Sequence, residues 1–381
     1  MSPELFRRAD ANDVWELMRL HQICSADPAR EAAMVNHHRV RDAIVNGADF
    51  WALAEWPSDG PDRGLRAAVF VMEEPEQRLA KIHRMYVHPE ERDSENTTVE
   101  LLRWLVADLE KRGTVDVLYT TTGKLSQSQV DLTLQLGFKM LGIFPNAMSA
   151  DNTKMNAIAG YFFGDTLKKK RAGGHKVHPV IKSFYDIVRK QCGMENLEIR
   201  EPGENVRQDL EKVRDLELIE APKFVATRFD RLNEKKFLSV SFYPFQTPNA
   251  LVTGPNQELE VFLTIVPEIR FAMVIGERMD RPVDPVALYV AVAELLRSRG
   301  VTYVEVINDA ADVVGTELLL EAGFLPCVYF PALKRHGDSR RDYVVFGRAF
   351  EKNVLRPESL NEYLQEFWEE YKALESDGLE L

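Results

Sequence analysis

Four turns recur along the chain at nearly one spacing. Gly113 and Gly300, each following a helical stretch that ends in a basic residue, lie 187 residues apart. The glycines of Leu136-Gly137-Phe138 and Ala322-Gly323-Phe324 lie 186 apart, as do the prolines of Phe144-Pro145 and Phe330-Pro331. Gly160 and Gly347, inside the apolar runs Ala159-Gly160-Tyr161-Phe162 and Phe346-Gly347-Arg348-Ala349, are again 187 apart. The intervening patterns agree as well: helix Thr98 to Arg112 with strand Val115 to Tyr119, and helix Pro285 to Arg299 with strand Val301 to Val306. The openings are matched as Leu5-Phe6-Arg7-Arg8 and Leu197-Glu198-Ile199-Arg200, the latter leading to a helix over Val206 to Leu218. Self-similarity on this scale predicts a duplicated unit.

Each unit alternates strands and helices and begins with short strands such as Phe50 to Trp56 and Leu65 to Glu73. That order predicts an α/β fold, a mixed sheet flanked by helices, built as two domains in tandem. The expected boundaries are 1–163, a linker and connecting helix at 164–194, 195–350, and a C-terminal helix at 351–381. Gly113, Gly137, Gly300 and Gly323 are expected as left-handed helix caps. The linker is placed in Gly164 to Pro179, with Lys168-Lys169-Lys170-Arg171 as a solvated basic run and a helix from Val180 to Cys192 after it. Near the C-terminus, Leu360, Tyr363, Leu364, Phe367, Trp368, Tyr371 and Leu374 make an amphipathic stripe. It is expected to pack on its own domain, with a homodimer contact as the alternative.

A net charge of −12 and a pI near 5.3 argue against nucleic-acid binding, which needs a cationic face. No apolar run approaches the ~18 residues of a membrane span. The start Met1-Ser2-Pro3-Glu4-Leu5 has no apolar core of a secretory signal. Cys24, Cys192 and Cys327 are too few and too scattered for a disulfide framework. The expected location is the cytoplasm.

The stretch Ala80 to Ala147 resembles the core of the GNAT (N-acetyltransferase) superfamily. Ile82-His83-Arg84-Met85-Tyr86-Val87-His88-Pro89 is similar to that family's fourth strand and its Val-x-Pro turn; an Arg-led loop, a helix, a strand, a helix and a Leu-Gly-Phe turn follow. In the second half the fourth strand and its turn are not located by the same pattern. The resemblance implies an acyltransferase that moves an acyl group from acetyl-CoA or another acyl-CoA to an amine, on a small molecule or a protein. It implies a cofactor site at Met85, Val87, Arg92, Ser94, Asn96 and Thr97, where backbone N–H groups at a helix start would face the diphosphate. It implies His83 as the general base.

The residues depart from the family pattern at definite places. Glu95 and Thr97 stand where the loop has glycines, and Asp93 adds a second carboxylate. Asp284 and Pro285 open the corresponding helix of the second half, as N-cap and first helical residue. Thr133 and Leu319 hold the place of the tyrosine that protonates a leaving thiolate. The alternative is therefore a non-catalytic binding or structural protein that has lost CoA. A further expectation concerns the basic loop Lys334 to Arg341: Arg340 and Arg341 converging with Tyr243 and Asn308 on a substrate anion. His37, His38, His83 and His88 lack metal-ligand spacing.

Overall fold

The computed structural model describes residues 5–25, 34, 36–47, 49–56, 64–123, 127–147, 155–203, 213, 215–239, 242–255, 257–280, 283–351 and 360–377. They fall into two units interleaved along the chain. Unit 1 takes Met1–Thr121, Asp131–Phe138 and Gly160–Thr166; unit 2 takes Thr122–Val130, Lys139–Ala159 and Leu167–Leu381. The division does not follow a single cut at 163, because Lys139–Ala159 belongs with the later residues.

Unit 1 runs β1 (Phe6–Arg8), α1 (Val14–Cys24), α2 (His37–Asn46), β2 (Phe50–Glu55), β3 (Leu65–Glu74), β4 (Leu79–Val87), α3 (Ser94–Arg112) and β5 (Val117–Thr122); α4 (Gln127–Gln135) is divided between the two units. The strands lie in the order β1-β2-β3-β4-β5. The first three pairings are antiparallel and β4–β5 is parallel. Alternation sorts the side chains of β2 and β3. Trp51, Leu53, Leu65 and Ala68 pack with Val14, Leu17 and Leu20 of α1 and Val40 of α2, while the alternate residues Ala52, Ala54, Val69 and Val71 are buried too. Both faces are therefore covered, which explains the near-continuous apolar runs. In α3, Leu101, Leu105 and Leu109 recur every four residues and are buried, and Gly113 closes the helix at φ 62°.

Unit 2 contains β6 (Lys139–Pro145), most of β7 (Met155–Phe162), β8 (Lys176–Val177), α5 (Lys182–Cys192), β9 (Glu198–Ile199), β10 (Glu217–Ile219), α6 (Pro222–Glu234), β11 (Ala250–Thr253), β12 (Leu259–Val266), β13 (Phe271–Met279), α7 (Pro285–Ser298), β14 (Tyr303–Asp309), α8 (Val313–Glu321), β15 (Leu325–His336), β16 (Ser339–Ala349) and α9 (Glu362–Asp377). Its main sheet reads β6-β15-β16-β14-β13-β12-β11-β10, with β13–β14 parallel. Helices α5 and α9 lie on β6 and β15. Leu364, Phe367, Trp368 and Tyr371 of α9 are buried, with Phe367 stacked 6.3 Å from Phe184. The aromatic stripe read from the sequence is thus used inside its own unit.

A turn not singled out in the sequence fixes both units. Pro75-Glu76-Gln77-Arg78 and Pro267-Glu268-Ile269-Arg270 each end on a left-handed arginine, at φ 48° and 53°. The Arg78 carbonyl accepts from the Asp116 N–H at 2.7 Å, and its Nε donates to Asp116 at 2.9 Å. The Arg270 carbonyl accepts from the Thr302 N–H at 2.7 Å, and its Nε donates to the Gly300 carbonyl at 2.9 Å. A bulky residue at positive φ is costly unless held from outside, and these bonds hold it.

Three expectations need correction. Glu198–Ile199 does not open the second sheet: it pairs with Lys176–Val177 apart from it, and Glu217–Ile219 pairs β11 instead. The helix read over Val206 to Leu218 falls partly on 206–212 and 214, outside the described residues, and ends in strand at Leu218; the described helix is α6. Arg171 is not part of a solvated run but is buried against Asp342. Burial wins there because the guanidinium finds a full ionic partner.

Candidate functional site

In each unit the parallel strand pair comes apart. The β4–β5 ladder runs from Leu79–Val117 to Ile82–Thr120 and stops, although β4 continues to Val87. The β13–β14 ladder runs from Phe271–Tyr303 to Met273–Glu305 and stops, although β13 continues to Met279 and β14 to Asp309. A β-bulge sits at each parting. Phe70 faces Arg84 and Val71 faces Ile82, which leaves His83 as the extra residue. Phe262 faces Gly276 and Leu263 faces Val274, which leaves Ile275. One extra residue bends its strand and raises the local twist, so the strand leaves its parallel neighbour.

In unit 1 the opening is bare. His83 is exposed, with its ring edge toward Phe70 at 6.1 Å, and Met85 is 43% exposed. Val87 is half-buried and its carbonyl accepts from the Cys24 thiol at 3.3 Å. Partial removal from water, then the cationic neighbours Lys81 and Arg84, push the His83 imidazole down to about 4. The shift favours the neutral imidazole. Arg92, Ser94 and Asn96 are exposed at the start of α3, whereas Thr97 is buried.

In unit 2 the opening collects chemistry. Glu277 on β13 is 7% exposed. It accepts from the Ser239 hydroxyl at 3.2 Å on Oε1 and from the Tyr289 hydroxyl at 3.0 Å on Oε2. Burial pushes this carboxyl above its ordinary range, and the two hydroxyls only partly offset it. Burial and the Glu277 charge hold Tyr289, on α7, well above the usual phenol value, so it stays a donor. Alternation and the bulge place the β14 carboxylate separately: buried Glu305 accepts from the Tyr243 hydroxyl. Ser239 also donates its N–H to the Glu277 carbonyl at 2.8 Å, so the chain itself supplies an amide donor to the free edge of β13.

The four predicted substrate residues do not converge. Tyr243 is engaged by Glu305. Asn308 donates to the Asp312 carbonyl at 3.3 Å and the Thr316 hydroxyl at 3.4 Å, at the start of α8. Arg340 is 1% exposed and donates to the Ala332 and Leu333 carbonyls at 2.5 and 2.6 Å. It serves the kink where β15 carries Ala332 at φ 52°, because strand alternation turns it inward while Arg341 faces out to Asp309 at 3.2 Å. The basic hairpin is thus spent on local structure: Lys334 lies 4.6 Å from the Phe242 ring centroid, and Arg335 bonds Gly337.

Neither helix start fits a diphosphate. At α3 the Asp93 carboxylate accepts from the Asn96 N–H at 3.4 Å, the Thr97 N–H goes to the Asp93 carbonyl, and Glu91 takes the Asp93 N–H. At α7 the Asp284 carboxylate accepts from the Val286 N–H at 3.0 Å, and Pro285 has no N–H to offer. A carboxylate takes one N–H at each start, and its charge opposes an anion there. Among the described residues there is no group of His, Cys, Asp and Glu that could hold a metal ion.

No protein-family model matches the chain, and no curated protein matches it. Solved structures similar to it are GNAT acetyltransferases. The ribosomal-protein alanine N-acetyltransferase from Escherichia coli is 17% identical, with a TM-score of 0.33 over 42% of this chain and 93% of its own. The aminoglycoside 6'-N-acetyltransferase from Enterococcus faecium is 16% identical, with 0.33 over 42% and 96%. A GNAT-family acetyltransferase from Streptococcus pneumoniae is 14% identical, with 0.34 over 42% and 99%. At these values the likeness decides nothing about this chain's chemistry.

Sequence reading missed Glu277, Glu305, Ser239 and Tyr289 because it placed no strand over Phe271–Met279. The signal was present: Pro267-Glu268-Ile269-Arg270 repeats Pro75-Glu76-Gln77-Arg78 at an offset of 192 and stands directly before that strand.

Proposed function

We propose that the chain is an acyltransferase-like protein built from two copies of one GNAT-type unit, and that unit 2 carries the proton-transfer centre. The observation that supports this is Glu277: a buried carboxylate, raised above its ordinary range, on a strand that has left its parallel neighbour. The donor brings the acyl group as a thioester: the amine nitrogen bonds its carbonyl carbon, the C–S bond breaks, and the thiolate leaves and takes a proton from solvent. Glu277 takes the proton from the acceptor ammonium, and its raised value makes it a better base near neutral pH than an exposed glutamate. Tyr289 keeps the carboxylate in place by donating to Oε2. Ser239 must give way for the amine to reach Oε1. The matching strand orders β1-β2-β3-β4-β5 and β10-β11-β12-β13-β14 and the two bulges support the duplication.

The acceptor on this reading is a primary amine, on a small molecule or a protein. Acetyl-CoA is a weakly held donor, because a carboxylate caps each helix start and repels its diphosphate. The cytoplasm is the matching compartment, with all three cysteines free. No described helix is long and apolar enough to cross a membrane.

The experiment is thiol release from acetyl-CoA and from S-acetylpantetheine with a panel of primary amines. Turnover should fall about 10²-fold or more in Glu277→Gln, with both donors used at similar kcat/KM. Equal turnover in the variant would remove Glu277 from the reaction. A second reading, a non-catalytic binding protein, is favoured by Ser239, whose N–H occupies the β13 edge. It predicts no thiol release, and no thermal shift with either donor.

A further inference from the structure

The Ser239 Oγ lies 3.2 Å from Glu277 Oε1 and 3.0 Å from the Glu277 carbonyl oxygen, so one hydroxyl proton is shared between two acceptors. On the other side of the same carboxyl, Tyr289 donates to Oε2 at 3.0 Å. A hydroxyl within hydrogen-bond reach of a base, with that base oriented by a third group, is the arrangement that turns serine into a nucleophile. Exposure divides the roles accordingly. Ser239 is exposed and Glu277 is 7% exposed, so an acyl group can reach the hydroxyl from solvent while the proton goes to a group that water hardly touches.

The local fold holds the serine at that place. α6 ends at Glu234, and Lys236 follows at φ 57°. The N–H groups of Lys236 and Phe237 close the helix end on the Asn233 and Leu232 carbonyls, both at 2.9 Å. Leu238 then packs against the core cluster of Val225, Phe229, Leu251 and Phe262, and the Ser239 N–H meets the Glu277 carbonyl at 2.8 Å. Unit 1 shows that the strand itself does not require this chemistry. The offset of 192 that relates the bulge residues His83 and Ile275 places Met85 where unit 2 has Glu277. A thioether suffices there, whereas a buried carboxylate is costly to keep.

We infer that Ser239 is a nucleophile that carries the acyl group between the thioester donor and the amine. This rests on Glu277 as the base, as proposed above. First, Oγ bonds the acyl carbonyl carbon and its proton passes to Glu277 Oε1; the C–S bond breaks, and Glu277 gives that proton to the departing thiolate. Acylation removes the hydroxyl proton that joined Ser239 to Oε1, and so clears this oxygen for the amine. The amine nitrogen then bonds the ester carbonyl carbon and the C–Oγ bond breaks. Of the two protons that the ammonium sheds, one reaches Oγ through Glu277 and the other goes to solvent. Only the thioester end of the donor enters these steps, which accords with helix starts capped by carboxylates.

The test treats the full chain with diisopropyl fluorophosphate, which bonds an activated serine oxygen through phosphorus, with loss of fluoride, and leaves a stable adduct. Peptide mass spectrometry should find the adduct at Ser239. It should be absent from Ser239→Ala and should form at least tenfold more slowly in Glu277→Gln. Turnover of S-acetylpantetheine with primary amines should fall about 10²-fold or more in Ser239→Ala. Ser239 is exposed, so circular dichroism should show an unchanged fold in that variant. Wild-type turnover in Ser239→Ala, with turnover lost in Glu277→Gln, would overturn the inference and leave Glu277 as the base of a direct transfer. A wild type that takes no adduct at Ser239 would overturn it as well. So would an adduct that forms equally fast in Glu277→Gln, which would in addition remove Glu277 as the base.

Discussion

The Arg171 guanidinium lies 2.6 Å from the Asp342 carboxylate, with 7% and 0% of the two side chains exposed. Asp342 also accepts from the Tyr329 hydroxyl at 2.5 Å and the Ala332 N–H at 2.9 Å, and lies 3.4 Å from His175. Burial alone would raise this carboxyl; the bonds from His175 and Arg171 outweigh it and hold Asp342 below its ordinary range. A segment that reads as a linker is thereby tied to β15 and β16.

Arg171→Ala should leave Asp342 buried without its ion and cost about 3–5 kcal/mol in urea unfolding. Because the Asp342 value is depressed in the folded protein, its stabilisation is present above the ordinary carboxyl pKa. It is lost as pH falls through the folded value. The gap between wild type and Arg171→Ala should therefore narrow toward acid. A constant gap from pH 7 to pH 3 would show that the pair does not couple to protons.

Glu277 behaves oppositely. Its folded value is raised, so its contribution is present in full below the ordinary carboxyl pKa and is lost as pH rises through the folded one. Glu277→Gln should melt higher than wild type at pH 8 and gain nothing at pH 4. The reverse order would mean that the carboxylate is stabilised as an anion.

Gly142 pairs with Val328 where β6 meets β15. A Cβ at Gly142 would stand 2.6 Å from the Val328 Cα and against the Cys327 carbonyl, at a φ of 154°. Gly142→Ala should destabilise by at least about 2 kcal/mol through overpacking and strain. A melting temperature within one degree of wild type would show that the strands can separate freely.

At α3, Glu95→Gly with Asp93→Ser keeps a capping oxygen and removes two carboxylates. Affinity for CoA, measured by calorimetry, should rise several-fold if the family's anion position persists in unit 1. No change would mean that this helix start is not a site.

The strand–helix alternation and the left-handed caps were legible because each rests on local chemistry. Gly113, Gly137, Gly300 and Gly323 all take positive φ, as glycines after amphipathic stretches should. The self-capped starts at Asp93 and Asp284 were legible for the same reason. Arg340 was misread because burial is a tertiary fact: nothing in Ser339-Arg340-Arg341-Asp342 says that the first arginine turns to the Ala332 carbonyl and the second to solvent. Glu277 was missed because its strand, Phe271–Met279, lacks the Val-x-Pro ending of its counterpart. Only the register shift at Ile275 reveals what that strand does.

The chain's order of synthesis also has a consequence. Strand β6 carries Met140, Leu141 and Ile143, all buried in unit 2, yet its partner residue Val328 is made 186 residues after Gly142. At about 5–20 residues per second, the ribosome leaves the β15 edge of that apolar strand unpaired for roughly 10–40 s, while β7 follows directly on its other edge. Closing so long a loop is slow, and until it closes that edge stays open to mispairing.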